Sequence, residues 1–354
     1  MENSKVVYLI LNGSPYGGSE KHVVDIFNKV NREKKLVYSH GNSLIDNIDN
    51  ASGAISIGRG FFGFLKVLRI VKIEKPDILH AHAARGVFFA RIVKLLLSKT
   101  GFCSFKLIST SHGLWVPPSK KKLRIGSLLH LFKEQDDITL AVSKFSRKEL
   151  LDLGYAENKL KYIYNGIDFS TFDSVRTIKE NVKNVAFIGR LTEQKGIYYL
   201  MELIKRERKS NVSFEIFGAG HLDDYVSKFI AQNKLKNVSF RGHTNNIKEV
   251  FSYTDLLIAP SLDEGLPYTL VEAINCGLPI ISTKVGGIPE IVEDGVNGYL
   301  VDPGNIEQLC EAFSRIKTAD LRSMSLESIK ISKKFSLDKM VEAIESEYNK
   351  CLIK

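Results

Sequence analysis

Two glutamates near the start of a predicted helix have the spacing needed to hold a polar ligand. Pro267 suits the first position of a helix, where its missing N–H costs nothing, and Gly277 suits the helix end. Glu264 then precedes the helix and Glu272 lies inside it. First-turn N–H groups can bind a diphosphate, and carboxylates can accept hydrogen bonds from hydroxyl groups. The segment therefore fits a nucleotide sugar, with Glu264 on the sugar and Glu272 on the ribose; alternatively, the acids only complement the helix dipole. The first-turn N–H groups belong to Tyr268, Thr269 and Leu270.

Two cations follow an earlier predicted strand, which covers residues 185–188 and ends at Gly189. Arg190 offers forked hydrogen bonds to phosphate oxygens, and Lys195 offers a mobile point charge. Both could neutralise a pyrophosphate leaving group while the C–O bond at the anomeric carbon breaks. The alternative, surface cations at a helix start, fits less well because the helix dipole is positive there.

Three histidines lie at the ends of two predicted strands. His112 follows the strand at 106–110, whereas His80 and His82 end another. For His112 we weigh a ligand contact against a histidine that only hydrogen-bonds within its loop. For His80 and His82 we favour a structural role over a metal site, because no carboxylate accompanies them.

The elements that must position these residues alternate between short apolar runs and amphipathic segments, the pattern of βαβ units. In the first half, strands are predicted at 6–11, 78–80, 106–110 and 139–142, and helices at 20–30, 86–97 and 144–153. The alternation stops after Asn165-Gly166, where a polar stretch is predicted to be the linker. It then restarts, with further strands predicted at 185–188, 213–217, 238–240, 256–258, 279–282 and 298–301, and further helices near 196–205, 222–233, 247–252, 288–292 and 306–316. We predict an α/β protein with two tandem Rossmann-like doubly wound parallel-sheet domains, residues 1–168 and 169–334. A final helix, 335–354, is predicted to pack back on the first domain. Because ligands bind at the carboxyl ends of parallel strands, two such domains would face each other across a cleft.

Charge is unevenly distributed over the 354 residues, whose formal net charge is +10. Residues 1–150 hold 24 Lys+Arg against 12 Asp+Glu, which leaves 50 − 24 = 26 against 40 − 12 = 28 for the rest. The basic half suggests an anionic partner, either a phosphorylated acceptor or lipid headgroups; a solvated basic surface is the alternative. We expect no nucleic acid partner.

A basic and aromatic segment, 59–72, and a basic cluster, Lys120 to Arg124, favour contact with an anionic membrane. An ordinary core helix with a basic outer face is the alternative. The start of the chain lacks the layout of a signal peptide, and no apolar run is long enough to span a bilayer. We therefore expect a cytoplasmic location, peripheral on the inner face of the cell membrane if the contact forms.

Taken together, the motifs resemble the family 4 glycosyltransferases of the GT-B fold over nearly the whole chain. The shared motifs that the family associates with substrate are Gly17-Gly18-Ser19-Glu20, Arg190 to Gly196, and Glu264 with Glu272. Further matches are Phe217 to Gly220, Val285 to Glu290, and Asp294 to Gly298. Some members have Phe-Gly in the helix entry, where this chain has Leu266-Pro267, a departure that bears on the choice of sugar.

The resemblance implies retaining transfer of a hexose or N-acetylhexosamine from a nucleotide diphosphate sugar, with UDP the default base. The acceptor would be a growing glycan or a lipid-linked glycan of a bacterial surface polysaccharide such as O-antigen or capsule. Gly17 and Gly18 would approach the donor phosphates, His112 would lie near the transferred sugar, and Ser19, His82 and His112 would form the acceptor side. No cofactor or metal is implied, in line with the lack of an Asp-x-Asp motif.

Other classes are kept as alternatives. A nucleotide-sugar epimerase on the same two-domain frame would release a new nucleotide sugar without an acceptor. A phosphorylase would be expected to need a far longer chain and a pyridoxal lysine site. A binding protein without catalysis would leave the full set of charged groups unexplained.

Overall fold

The computed structural model describes residues 4–11, 16–39, 43–58, 60–101, 104–113, 130–172 and 180–353. The chain forms two compact units: Met1–Asn165 together with Leu337–Lys354, and Gly166–Ser336. The sequence predicted that the N-terminal part of the first unit ends at residue 168 and that the second unit ends at 334. The observed ends are residues 165 and 336.

The first unit contains a sheet of seven parallel strands. These strands are β1 (Lys5–Ile10), β2 (Glu33–Ser39), β3 (Ala54–Ile57), β4 (Ile78–His82), β5 (Lys106–Ser111), β6 (Ile138–Ala141) and β7 (Leu160–Tyr162). Their order is β3-β2-β1-β4-β5-β6-β7. The helices described around this sheet are α1 (Gly18–Lys29), α2 (Gly60–Glu74), α3 (Ala83–Thr100), α4 (Lys144–Asp152) and the C-terminal helix at Leu337–Ile353. That last helix contributes Met340, Ile344 and Tyr348 to the same apolar cluster as Val6 and Tyr8 of β1.

The second unit contains a sheet of six parallel strands. These strands are β8 (Asn184–Ile188), β9 (Ser213–Phe217), β10 (Val238–Gly242), β11 (Leu256–Ala259), β12 (Ile280–Thr283) and β13 (Gly298–Val301). Their order is β10-β9-β8-β11-β12-β13. Its α-helices are α5 (Ile197–Arg206), α6 (Asp223–Gln232), α7 (Ile247–Tyr253), α8 (Tyr268–Asn275), α9 (Ile306–Ile316) and α10 (Leu321–Ser332); the helix at Leu337–Ile353 is α11. The predicted pair of Rossmann-like units is thus confirmed.

The strands form because their apolar runs are covered on both faces. In β1, Val6, Tyr8 and Ile10 belong to one buried cluster, whereas Val7 and Leu9 belong to another. Such continuous burial is typical of parallel sheets with helices on each side.

Both sheets change winding direction at one point, between β1 and β4 in the first unit and between β8 and β11 in the second. In open α/β sheets, ligands bind beyond the carboxyl ends of the strands at this switch point. The switch points therefore indicate where each unit is built to hold a ligand.

Several elements differ from the sequence prediction. The helix predicted at 288–292 is a 3₁₀ turn over Ile288–Glu290. Strands β2, β3 and β7 and helix α10 were not predicted. In α10 the buried face carries serines, and the Ser325 and Ser328 hydroxyls donate hydrogen bonds to the carbonyls of Gly277 and Leu278. Because these polar residues lie on its buried face, the sequence of α10 lacks the apolar periodicity by which a helix is predicted.

Within the described ranges, no helix combines the length and the apolar composition required to cross a lipid bilayer.

Candidate functional site

Lys195 and Glu264 form an ion pair in the second unit. Lys195 Nζ lies 2.5 Å from Glu264 Oε1, and the Ser261 hydroxyl donates a hydrogen bond of 2.8 Å to the same oxygen. The Lys195 and Glu264 side chains are 19% and 10% exposed, so the ion pair is mostly buried but still reached by solvent. Lys195 follows β8 and Glu264 follows β11, and these strands pair side by side at the switch point. The structure thus joins two residues that the sequence had placed on different parts of the ligand.

Two glycines pack closely against the backbone of the loop that carries Glu264. Gly196 has φ +70°, and a Cβ there would lie 1.8 Å from the Pro260 carbonyl oxygen. Gly286 has φ +54°, and a Cβ there would lie 1.7 Å from the Glu264 carbonyl oxygen. Real side chains cannot occupy either space, so both positions require glycine. The Val285–Glu290 motif therefore supports Glu264 through its backbone.

Arg190 lies in the loop after β8 with an exposed side chain. No contact among the described residues ties its guanidinium to the Lys195–Glu264 pair. Arg190 and Lys195 thus both follow β8, but only Lys195 is paired with Glu264.

Helix α8 begins one residue later than predicted. Pro267 is its N-cap, with extended backbone (φ −73°, ψ 119°), and Tyr268 is the first helical residue. The Leu270 N–H donates to the Pro267 carbonyl at 3.2 Å. The prediction of a free Leu270 N–H was therefore wrong, because a tight first turn already pairs this group. Thr269 is partly exposed, whereas Glu272 is 7% exposed within the helix.

Asp263, beside Glu264, is a titrating group that the sequence did not reveal. Burial, and then the negative charge of Glu264, raise the pKa of Asp263 to about 6 from 3.8; a backbone hydrogen bond and Lys195 oppose the shift. A raised carboxyl pKa depends on tertiary burial. The Asp263-Glu264 dipeptide itself was the only available signal.

The raised pKa of Asp263 predicts a pH dependence of stability. An acid with a higher pKa in the folded chain stabilises the fold below its unfolded pKa, and this contribution disappears as pH rises through about 6. The Asp263→Asn variant mimics the protonated form. Its stability relative to wild type should rise by on the order of 1 kcal/mol from pH 4 to pH 7, after allowance for solvent screening. Chemical denaturation across this range measures the difference; parallel curves would contradict the assignment.

In the first unit, three histidines form a compact cluster, hereafter the His22–His82–His112 cluster. His82 ends β4, His112 follows β5 and His22 lies on α1. The ring centroids are 4.9 Å apart for His22 and His112, 5.5 Å for His22 and His82, and 5.6 Å for His82 and His112. The sequence indicated His82 and His112 but missed His22. The available signal was a histidine on the buried face of α1, next to Val23 and one turn from Ile26.

Burial lowers the pKa of each histidine in the cluster. The pKa of His22 falls to about 4, and those of His82 and His112 fall well below 6.5, with neighbouring histidines adding to the effect of burial. The three imidazoles are therefore neutral near pH 7. His80 is different, because its two ring nitrogens are paired with the Tyr348 hydroxyl at 2.6 Å and the Thr110 hydroxyl at 2.7 Å. His80 has the structural role that was predicted.

Ser19 and His112 line one cavity of about 230 Å³ at the carboxyl end of β5. Ser19 donates a hydrogen bond of 2.8 Å to Glu20, just after Gly17 and Gly18 at the start of α1. The cavity lining also includes Arg91, whose guanidinium is paired with buried Asp136. Two of the predicted acceptor-side residues thus share a cavity, and the third, His82, lies with its Nδ1 3.4 Å from His112 Nε2.

Two family models match adjacent parts of the chain. The model described as Glycosyltransferase Family 4 matches residues 16–171, and the model described as Glycosyl transferases group 1 matches residues 168–332. An uncharacterized glycosyltransferase of Methanocaldococcus jannaschii is 30% identical over 285 residues, which are 79% of this chain and 77% of the relative.

Two further relatives add detail. A UDP-Gal:alpha-D-GlcNAc-diphosphoundecaprenol alpha-1,3-galactosyltransferase of Escherichia coli is 25% identical over 345 residues, 88% of each chain. The crystal structure of Anabaena HepE in complex with UDP-glucose superimposes with a TM-score of 0.83 at 20% identity, covering 98% of this chain and all of that one. This likeness shows the fold. The chain therefore belongs to glycosyltransferase family 4 and has the GT-B fold.

Proposed function

We propose that this glycosyltransferase transfers a hexose or N-acetylhexosamine from a UDP-sugar to a lipid-linked or growing glycan during synthesis of a surface polysaccharide. The observation that carries the proposal is the Lys195–Glu264 ion pair at the switch point of the second sheet. The names of the E. coli galactosyltransferase and of the HepE complex support a UDP-sugar donor. Membership in a transferase family favours transfer over the epimerase alternative.

The proposed chemistry follows from the positions of the charges. Lys195 and Arg190 bind the diphosphate and stabilise the negative charge that grows as the bond to the anomeric carbon breaks. Glu264 accepts hydrogen bonds from sugar hydroxyls, with its carboxylate oriented by Lys195 and Ser261. Glu272 binds the ribose, and the start of α8, without the paired Leu270 N–H, lies against the diphosphate.

On the acceptor side, the proposal uses the first unit. Gly17 and Gly18 approach the donor phosphates with backbone alone, and His112 contacts the transferred sugar. Ser19 lines the same cavity as His112 and is placed to meet the acceptor. The anomeric configuration is retained, and the transfer step needs no metal because Lys195 and Arg190 supply the positive charge.

Thermal unfolding with a panel of nucleotides tests the donor assignment. At about 100 times its Kd, a ligand stabilises the fold by about 2.7 kcal/mol. We expect UDP and one UDP-sugar to raise Tm, and GDP and ADP to leave it unchanged. A rise with GDP alone, or with none of the nucleotides, would overturn the proposed donor.

Product analysis tests the remaining parts. With an α-linked UDP-sugar and a synthetic lipid-diphosphate acceptor, NMR should show an α-linked product; a β-linked product contradicts retention. Transfer in EDTA should equal transfer in Mg²⁺, and activity that requires Mg²⁺ contradicts the metal-free step.

We also propose that α2 holds the enzyme against the cytoplasmic face of an anionic membrane. One face of α2 is exposed to solvent and mixes apolar with basic side chains. This face consists of Phe61, Phe62, Leu65, Lys66, Arg69 and Ile73. Phe61 and Phe62 are 68% and 78% exposed, unusual values for aromatic side chains. Such a surface fits insertion at the headgroup level of anionic lipid. The second predicted cluster, Lys120 to Arg124, lies outside the described residues.

Vesicle co-sedimentation checks this contact. Wild-type protein should pellet with phosphatidylglycerol-containing vesicles more than with neutral vesicles, because Lys66 and Arg69 attract anionic headgroups. The Phe61→Ser/Phe62→Ser variant should lose at least about half of that binding, since burial of apolar area drives insertion. Leu326→Ser, which removes an apolar side chain that is 55% exposed on α10, is the control and should bind as wild type. Equal pelleting with both vesicle types would refute the contact.

A further inference from the structure

We propose that the His22–His82–His112 cluster is a binding site for Zn²⁺, and that the bound ion inhibits sugar transfer. Each of the three residues offers one imidazole nitrogen, and these ligand atoms lie within 4.8 Å of one another. Three neutral imidazoles with a fourth position left for water are a frequent zinc ligand set. Among divalent ions, Zn²⁺ is well suited to imidazole, whereas Mg²⁺ prefers oxygen ligands.

The ring geometry supports this site. With Zn–N distances of 2.0 to 2.1 Å and tetrahedral angles, ligand nitrogens stand about 3.4 Å apart and imidazole centroids about 5.2 Å apart. The observed centroid distances are 4.9, 5.5 and 5.6 Å, and His82 Nδ1 lies 3.4 Å from His112 Nε2. A ligand separation at the upper limit of 4.8 Å requires two ligand nitrogens to approach each other by about 1.4 Å when the ion binds.

The hydrogen bonding of His22 provides a second, independent observation. His22 Nδ1 lies 3.0 Å from the amide oxygen of Asn165, so this nitrogen carries the proton and donates it. His22 Nε2 then presents a lone pair, and this atom is buried without a hydrogen-bond partner. His22 is 2% exposed. A buried polar atom without a partner requires an explanation, and a metal ligand whose second nitrogen is oriented by an amide oxygen provides one.

The functional consequence rests on the proposed function. His112 is the residue proposed to contact the transferred sugar, so an ion that occupies its nitrogen removes it from the substrate. Because the transfer step is metal-free, the ion acts as an inhibitor and not as a cofactor. His112 lines the same cavity as Ser19, so one member of the cluster borders the space proposed for the acceptor.

Metal binding is tested without any turnover assay. Full-length, EDTA-treated protein is titrated with Zn²⁺ in competition with a chromophoric chelator. We expect one equivalent to bind to wild type, and His22→Gln and His82→Gln to bind at least about tenfold more weakly, since each loses a ligand. The exposed His243 provides the matched control, and His243→Gln should bind as wild type. Binding unchanged in both cluster variants, or no binding to wild type, overturns the site.

A second measurement needs no variant, so misfolding cannot obscure it. X-ray absorption at the zinc edge of the wild-type complex should show three imidazole ligands and one oxygen. Fewer imidazoles, or any sulfur ligand, would place the ion elsewhere.

Inhibition is measured separately. Zn²⁺ should slow transfer by wild type, EDTA should restore it, and His22→Gln should resist the ion. Zn²⁺ that binds the cluster without slowing transfer refutes the inhibitory role. If no donor supports transfer, the proposed function fails while the binding result stands on its own.

Discussion

Replacement of Lys195 by alanine is expected to slow turnover at least about a hundredfold, because one preorganised charge at the developing diphosphate is lost. Replacement of Glu264 by alanine should slow turnover by a similar factor, because the hydrogen bonds from the sugar hydroxyls to its carboxylate are lost. The two side chains share one ion pair, so the double variant should lose less than the product of the two single effects. Steady-state kinetics of the three variants with a UDP-sugar measure these losses.

A matched control separates charge at the site from loss of an ion pair in general. Lys317 pairs with Glu207 at 3.1 Å and is partly exposed, and these residues directly follow the helices α9 and α5, whereas Lys195 and Glu264 follow strands. Lys317→Ala should therefore keep the wild-type rate. A Lys195→Ala enzyme with a near-normal rate, or a control as slow as Lys195→Ala, would remove the proposed role.

The Arg91→Met substitution is expected to destabilise the first unit by about 3 to 5 kcal/mol, since it leaves the Asp136 carboxylate buried without its cation. Both side chains are 1% exposed. Arg91 Nε donates to Asp136 at 2.8 Å, and the Ser109 and Thr139 hydroxyls donate to the same carboxylate at 2.6 and 3.0 Å. Denaturant unfolding measures the change.

The adjacent pair provides the control. Lys94 contacts Asp137 one turn further along α3, and these side chains are 18% and 29% exposed. Lys94→Met should cost about 1 kcal/mol or less, because an ion pair open to water contributes little. Equal losses in the two variants would show that burial does not set the strength of the Arg91–Asp136 pair.

The sequence supported the fold class because the periodicity of parallel strands and their helices is local. Strands covered on both faces read as short apolar runs, as at 213–217 and 298–301, which match β9 and β13. The missed β2 begins Glu33-Lys34-Lys35, and this charged half is not fully buried, so it lacks the apolar signature. Local pattern was therefore sufficient where a strand reads as an apolar run, as in the edge strand β13, and insufficient where charged residues occupy half of the strand, as in the interior strand β2.

The same distinction applies to the site. Motif spacing was enough to nominate Lys195, Glu264, Glu272 and His112 as candidates, because glycines, prolines and charges at strand ends have local meaning. Strand order has no such local signal. It brings β8 beside β11 and so joins Lys195 to Glu264, 69 positions apart in the chain. Helix packing brings His22 to His82 and His112, and burial raises the pKa of Asp263. These properties arise from contacts between distant segments, since burial and charge proximity exist only once the chain has folded.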